Sequence, residues 1–126
     1  MRICEVDKCN KTEGVQGHHI VKRGQAKYLI NCKGNIIYLC WDHHHGTKGV
    51  HGKYGSELDH ELKRKFQDNL RLLFGEDIYY TVEDISEKLD ISLQDANSLV
   101  KFILPKVGKY KGEDIIRECM GGKLIL

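Results

Sequence analysis

Two pairs of metal-ligand residues limit what this chain can fold into. Cys4 and Cys9 are separated by four residues near the start, and Cys40 and His43 by two residues further on. Together they offer four soft-to-borderline ligands, the usual number for a closed tetrahedral zinc site. Thirty residues lie between the two pairs, so one ion would pin an N-terminal knuckle to the start of a helix. In a chain of 126 residues such a staple adds materially to folding. The alternative is that the cysteines are buried free thiols, but two correctly spaced half-sites favour zinc. Cys32 and Cys119 have no partner at ligand spacing and read as ordinary buried thiols. The opening Met1-Arg2-Ile3-Cys4-Glu5 lacks the apolar stretch of a secretory signal, and no apolar run approaches ~20 residues. An intracellular chain with reduced cysteines and no membrane partner is therefore expected.

Six of the seven histidines fall between Gly17 and Gly52. Histidine is both a common metal ligand and the side chain whose unperturbed pKa lies nearest neutrality. With His43 assigned to zinc, His18, His19, His44, His45 and His51 remain. Adjacent strand residues point to opposite sides, so His18 and His19 cannot easily serve one ion together. One can ligate while the other faces a substrate. His44, on a following helix, could reach the same ion as His18, with His51 available as a third ligand. Such an open site suits hydrolysis of a phosphate ester, the metal stabilising the leaving oxygen while a neutral imidazole deprotonates water. Taken singly, His45 and His60 read equally well as surface histidines.

Charge is divided unevenly along the chain. Residues 1–54 carry nine Lys/Arg against four Asp/Glu, and residues 55–126 carry eleven against fourteen. The basic half is also the histidine half, which suits a polyanionic substrate, although a solvated basic face would look the same.

The pattern predicts a strand over 15–22, a turn at Arg23-Gly24-Gln25 and a second strand over Asn35–Leu39. A short helix is expected from Asp42, limited by Gly46 and Gly49. Leu58, Leu62, Phe66, Leu70 and Leu73 mark a helix capped by Ser56 and stopped by Gly75. Then come two short helices capped by Thr81 and Ser92, the second stopped by Pro105, with so brief a connection that a helix-turn-helix is expected. A basic loop over Lys106–Lys111, a helix over Glu113–Met120 and a terminal strand over Lys123–Leu126 complete the chain.

The run Gly17-His18-His19-Ile20-Val21, then Asn35-Ile36-Ile37-Tyr38-Leu39-Cys40-Trp41-Asp42-His43-His44, then Gly49-Val50-His51, resembles the HNH (His-Asn-His) endonuclease family in the form found in many bacteriophages. The resemblance covers residues 2–54. It implies a ββα-metal (His-Me finger) module with zinc knuckle over 1–54, and with the helical pattern that follows the expectation is an α+β chain with a linking helix over 55–75 and a mainly helical module over 76–126. His18 and His44 would ligate a catalytic divalent ion (Mg²⁺, Mn²⁺, Ni²⁺ or Zn²⁺), His19 would activate water, and Asn35 would brace the loop that carries His19. The chain departs from the family at the third ligand. Lys48 occupies the position about one helical turn after His44, where many members place His or Asn, and a protonated lysine cannot ligate. His51 is the substitute, and His45 the fallback.

The tail resembles, more distantly, the helix-turn-helix of excisionase-type DNA-binding proteins, through Thr81-Val82-Glu83-Asp84-Ile85 and Lys106-Val107-Gly108-Lys109-Tyr110. That resemblance implies that Gln94, Asn97, Ser98 and Lys101 face DNA, with Lys106, Lys109 and Lys111 at phosphates. Lys22 and Arg23 would contact DNA beside the metal. A small helical packing module is the other reading of the tail. The expected function is cleavage of double-stranded DNA. The rivals are a non-catalytic zinc-containing DNA-binding protein and an RNA-directed nuclease.

Overall fold

A computed structural model describes residues 2–126 and shows an α+β chain, with two small antiparallel strand pairs and five α-helices among the described residues. Past a tight turn closed by Cys9 N–H on the Val6 carbonyl, β1 (Gln16–His19) pairs with β2 (Ile36–Leu39). Gln16 lies opposite Leu39 and His19 opposite Ile36. β1 is shorter than the 15–22 expected. Asn35 explains why, since its buried side chain accepts from Val21 N–H at 2.8 Å and donates to the Val21 carbonyl at 3.0 Å. Ile20 N–H still reaches the Asn35 carbonyl at 2.9 Å, but with both backbone groups of Val21 satisfied by the Asn35 side chain the ladder goes no further.

Helix α1 (Trp41–His44) follows β2 directly, with extended Cys40 as its N-cap. Asp42 was the expected cap, but it lies inside the first turn and pairs with Lys11 instead. The chain then folds back over α1. Val50 N–H donates to the His43 carbonyl and His51 N–H to the His44 carbonyl, each at 2.9 Å. These bonds satisfy carbonyls that a helix end leaves open, and they bring His51 alongside His44.

Helix α2 (Ser56–Leu73) starts one residue after its N-cap Gly55, so Ser56 is its first residue and not its cap. Leu62, Phe66 and Leu70 are buried as the four-residue spacing predicts. Leu73 is not; it is 38% exposed, and Phe74 is fully buried in its place as the chain leaves the helix. Burying each such side chain is worth roughly 1.5–3 kcal/mol. Gln67 is buried on the same helix and pairs with the backbone of Ile125, donating to its carbonyl at 2.7 Å and accepting from its N–H at 2.8 Å. Residues 123–126 are held this way and form no strand.

Helices α3 (Val82–Leu89) and α4 (Leu93–Val100) carry the expected caps. Thr81 and Asp84 form a reciprocal capping box, and Ser92 accepts from Asp95 N–H at 3.0 Å. The predicted basic loop is more ordered than expected. Lys106 and Lys109 exchange backbone hydrogen bonds across Val107 and Gly108, both at positive φ. Strand β4 (Tyr110–Lys111) then pairs with β3 (Tyr79–Tyr80) ahead of α5 (Gly112–Cys119).

Leu29, Leu39, Phe66, Ile85, Leu99 and Ile115 belong to one buried cluster that draws on the segments 1–54, 55–75 and 76–126 alike. The Cys32 thiol donates to the Leu89 carbonyl at 3.5 Å, and the Tyr28 hydroxyl lies 2.8 Å from the Glu118 carbonyl. Cys32 and Cys119 are free and buried, and burial raises both thiol pKa values. Among the described residues, no helix is long and apolar enough to cross a membrane.

Candidate metal centres

The turn after Val6, the end of β2 and the first turn of α1 bring Cys4, Cys9, Cys40 and His43 together, with one ligand atom from each within 4.8 Å of all the others. The Cys4 and Cys40 sulphurs lie 3.4 and 3.3 Å from His43 Nδ1. Zinc bond lengths imply a tetrahedral S–N edge of about 3.5 Å, so the thiols and imidazole already stand near the separation one zinc ion requires. Burial raises the Cys4 pKa, whereas Cys9 is lowered, first by a backbone hydrogen bond at Lys11. Three sulphurs and one imidazole fit structural zinc.

The second group is His18, His44 and His51, again with ligand nitrogens within 4.8 Å of one another. Their ring centroids are 4.7 to 5.3 Å apart. β1 supplies His18, α1 supplies His44, and the returning loop supplies His51. His18 is buried, and its Nε2 has no hydrogen-bond partner. Such an orphaned nitrogen is costly without a ligand, and a cation supplies one. Desolvation, followed by repulsion from His51 and His44, pushes the His18 pKa down to about 4. His44 is lowered too, by desolvation first and then by His45 and His51. These effects keep ring lone pairs free for an ion. His45 rests 4.2 Å from His44, centroid to centroid, and is outside the ligand set, while Lys48 is exposed. The structure thus brings together the three histidines singled out in the sequence, with His51 as third member.

His19 is held apart from that group. Its Nε2 lies 2.9 Å from the Ile30 carbonyl, which only accepts. In the neutral ring Nε2 therefore carries the proton and Nδ1 keeps the lone pair, as a proton acceptor needs. Asn35 secures both sides of this contact. It binds Val21, just beyond His19, and donates to the Leu29 carbonyl, just before Ile30, at 3.4 Å. Asn35 thus hydrogen-bonds backbone on both sides of the His19–Ile30 contact.

Sequence reasoning missed Gln16. Its Oε1 lies 3.1 Å from His44 Nδ1, so the amide accepts that ring proton and leaves Nε2 of His44 with the lone pair. The available signal was period two, since Gln16 precedes His18 by two residues on β1 and shares its face. Lys53 was missed as well. It lines a cavity with His18, His19 and His51, and loop sequence carries no periodicity to reveal that. Lys22 and Arg23 border the histidine cluster.

No protein-family model, curated protein or solved structure matches the chain. The side-chain geometry is therefore what bears on function.

In the tail, Gln94, Asn97, Ser98 and Lys101 are exposed along and just after α4, and Lys106 and Lys109 are exposed on the hairpin. Lys111 differs from the expectation. It is half-buried, 3.8 Å from an Asp77 oxygen and 3.9 Å from one of Glu113, so carboxylates already partly neutralise it.

Proposed function

We propose that the chain is a metal-dependent HNH-type endonuclease that hydrolyses DNA phosphodiester bonds, with β1, β2 and α1 forming a ββα-metal module. The convergence of His18, His44 and His51 beside a separately oriented His19 carries this reading. A structural site needs neither an orphaned imidazole nitrogen nor a neighbouring histidine with a fixed tautomer, which is what favours an enzyme over a zinc-containing binding protein.

His18, His44 and His51 would hold a divalent ion through neutral imidazoles, and Cys4, Cys9, Cys40 and His43 a structural zinc. When bound, the catalytic ion supplies charge stabilisation at the leaving oxygen. The remaining chemistry belongs to the chain. His19 accepts the proton of the attacking water at Nδ1 while its Nε2–H stays on the Ile30 carbonyl. Asn35 holds the two backbone segments between which that ring is set. Lys22 and Arg23 attract the polyanionic backbone. Gln94, Asn97 and Lys101 on one side of the tail, with Lys106 and Lys109 on the hairpin, offer further contacts to double-stranded DNA. Lys111 contributes less, being flanked by carboxylates.

Supercoiled plasmid incubated with Mg²⁺, Mn²⁺, Ni²⁺ or Zn²⁺ should be nicked or linearised, with EDTA abolishing the reaction. His19→Ala should slow it by ~10²–10⁴-fold with metal content unchanged. Near-normal cleavage by that variant would show that His19 is not the base, and a wild-type protein inert with every ion would refute the nuclease.

A further inference from the structure

Two cavities meet at the histidine cluster. One, of about 300 Å³, is bordered by Arg23 and His44, and the other, of about 270 Å³, by Lys53, Ser56 and Asp59. His18, His19, His51 and Lys22 border both. An ion held by the three rings would therefore sit at a shared wall with an open space on either side.

We propose that the cavity beside Lys53 is a subsite for the backbone phosphate next to the one attacked, with Lys53 as its cation. This rests on the nuclease reading and extends it to the substrate's neighbouring phosphates. A strand carries one phosphate per nucleotide, so a scissile phosphate at the wall places a neighbour on each side. The two cavities match that arrangement, with Arg23 available in one and Lys53 in the other. Asp59 does not cancel Lys53, because its carboxylate is engaged by Lys63 at 2.9 Å. The Lys53 ammonium has no carboxylate within 4.0 Å among the described residues and lies 5.5 Å from the centroid of the Tyr54 ring. Its backbone is set by the same loop that delivers His51, through Gly52 N–H on the Gly49 carbonyl and Tyr54 N–H on the Thr47 carbonyl, both at 2.8 Å. Ligand and cation are thus placed together by one segment. Lys22, which borders both cavities, is left for the scissile phosphate itself.

The test compares wild type, Lys53→Ala and Lys53→Arg on a double-stranded oligonucleotide and on bis(p-nitrophenyl) phosphate, which has no neighbouring phosphate. Metal content of each protein is measured alongside. Lys53→Ala should lose about ten- to a hundredfold in kcat/KM on DNA, the size of one charge-assisted hydrogen bond, and stay within about twofold on the small diester. Lys53→Arg should recover most of the loss. In binding titrations without a catalytic metal, the Lys53→Ala slope of log affinity against log salt should be shallower by about 0.9, one phosphate contact. An equal loss on both substrates would place Lys53 at the scissile phosphate and overturn the subsite, as would no loss on either with an unchanged slope. A wild-type protein inert on both substrates would end the nuclease reading, and the slope difference would still decide whether Lys53 meets a phosphate.

Discussion

The amide oxygen of Gln16 and Nδ1 of His44 lie 3.1 Å apart, joining β1 to α1 and leaving the other nitrogen of that ring for an ion that His18, His44 and His51 could hold. Gln16→Ala should weaken binding of the exchangeable divalent ion by about 10–100-fold, the usual effect of removing such a partner. Gln16→Glu should retain or exceed wild-type affinity, because a carboxylate raises ligand basicity. Calorimetric titration of protein with zinc already in place measures both. Unchanged affinity in Gln16→Ala would show that packing alone orients His44.

Gly52 should tolerate no side chain. A Cβ there would meet the Gly46 carbonyl oxygen at 1.8 Å, with backbone rather than a flexible side chain in the way. Gly52→Ala should displace the loop, remove His51 from the cluster and weaken the same ion, leaving the zinc site filled. Elemental analysis with a divalent-ion titration separates the two sites. Full affinity in this variant would mean that His51 is dispensable.

Cys9→Ser should lower zinc content and the melting temperature together, because one ion on Cys4, Cys9, Cys40 and His43 would tie the Val6–Lys8 turn to α1. Cys9 is the more exposed of the three cysteine ligands, so its loss leaves little cavity behind. A lower melting temperature can therefore be attributed to the metal. Zinc retained at one equivalent would remove Cys9 from the site.

His18 also sets a pH dependence. Its folded pKa of about 4 lies below the ordinary value of 6.5, so between these the unfolded chain binds a proton that the folded chain refuses. Stability contributed at this position is complete above pH 6.5, falls as pH drops toward 4 and levels off below that. In protein freed of the exchangeable ion, His18→Gln should lose less melting temperature than wild type between pH 7 and 4. Parallel curves would show that the His18 ring is not desolvated.

Short-range features were legible in the residues themselves. The Thr81 and Ser92 caps, the stripe Leu62-Phe66-Leu70 and the two ligand half-sites all depend on spacings of two to four residues, which helix and turn geometry fixes locally. The same locality explains the misses at Asp42 and Ser56. Each has a capping side chain, but Asp42 is claimed by distant Lys11, and the chain at Gly55 already serves as the cap.

Tertiary structure decided what depends on distant groups competing for one partner. β1 stops at His19 because Asn35, from the far side of the loop, takes the backbone bonds of Val21. The terminal residues form no strand because buried Gln67 supplies the ladder contacts that another strand would have provided. The residues alone named His18, His44 and His51 as candidates for one ion and left His45 as an alternative to His51. The choice fell to the backbone bonds from Val50 and His51 onto α1, which carry His51 to His18 and leave His45 outside the ligand set. Ligand type is a property of each residue, whereas convergence on a point is set by how the chain returns upon itself.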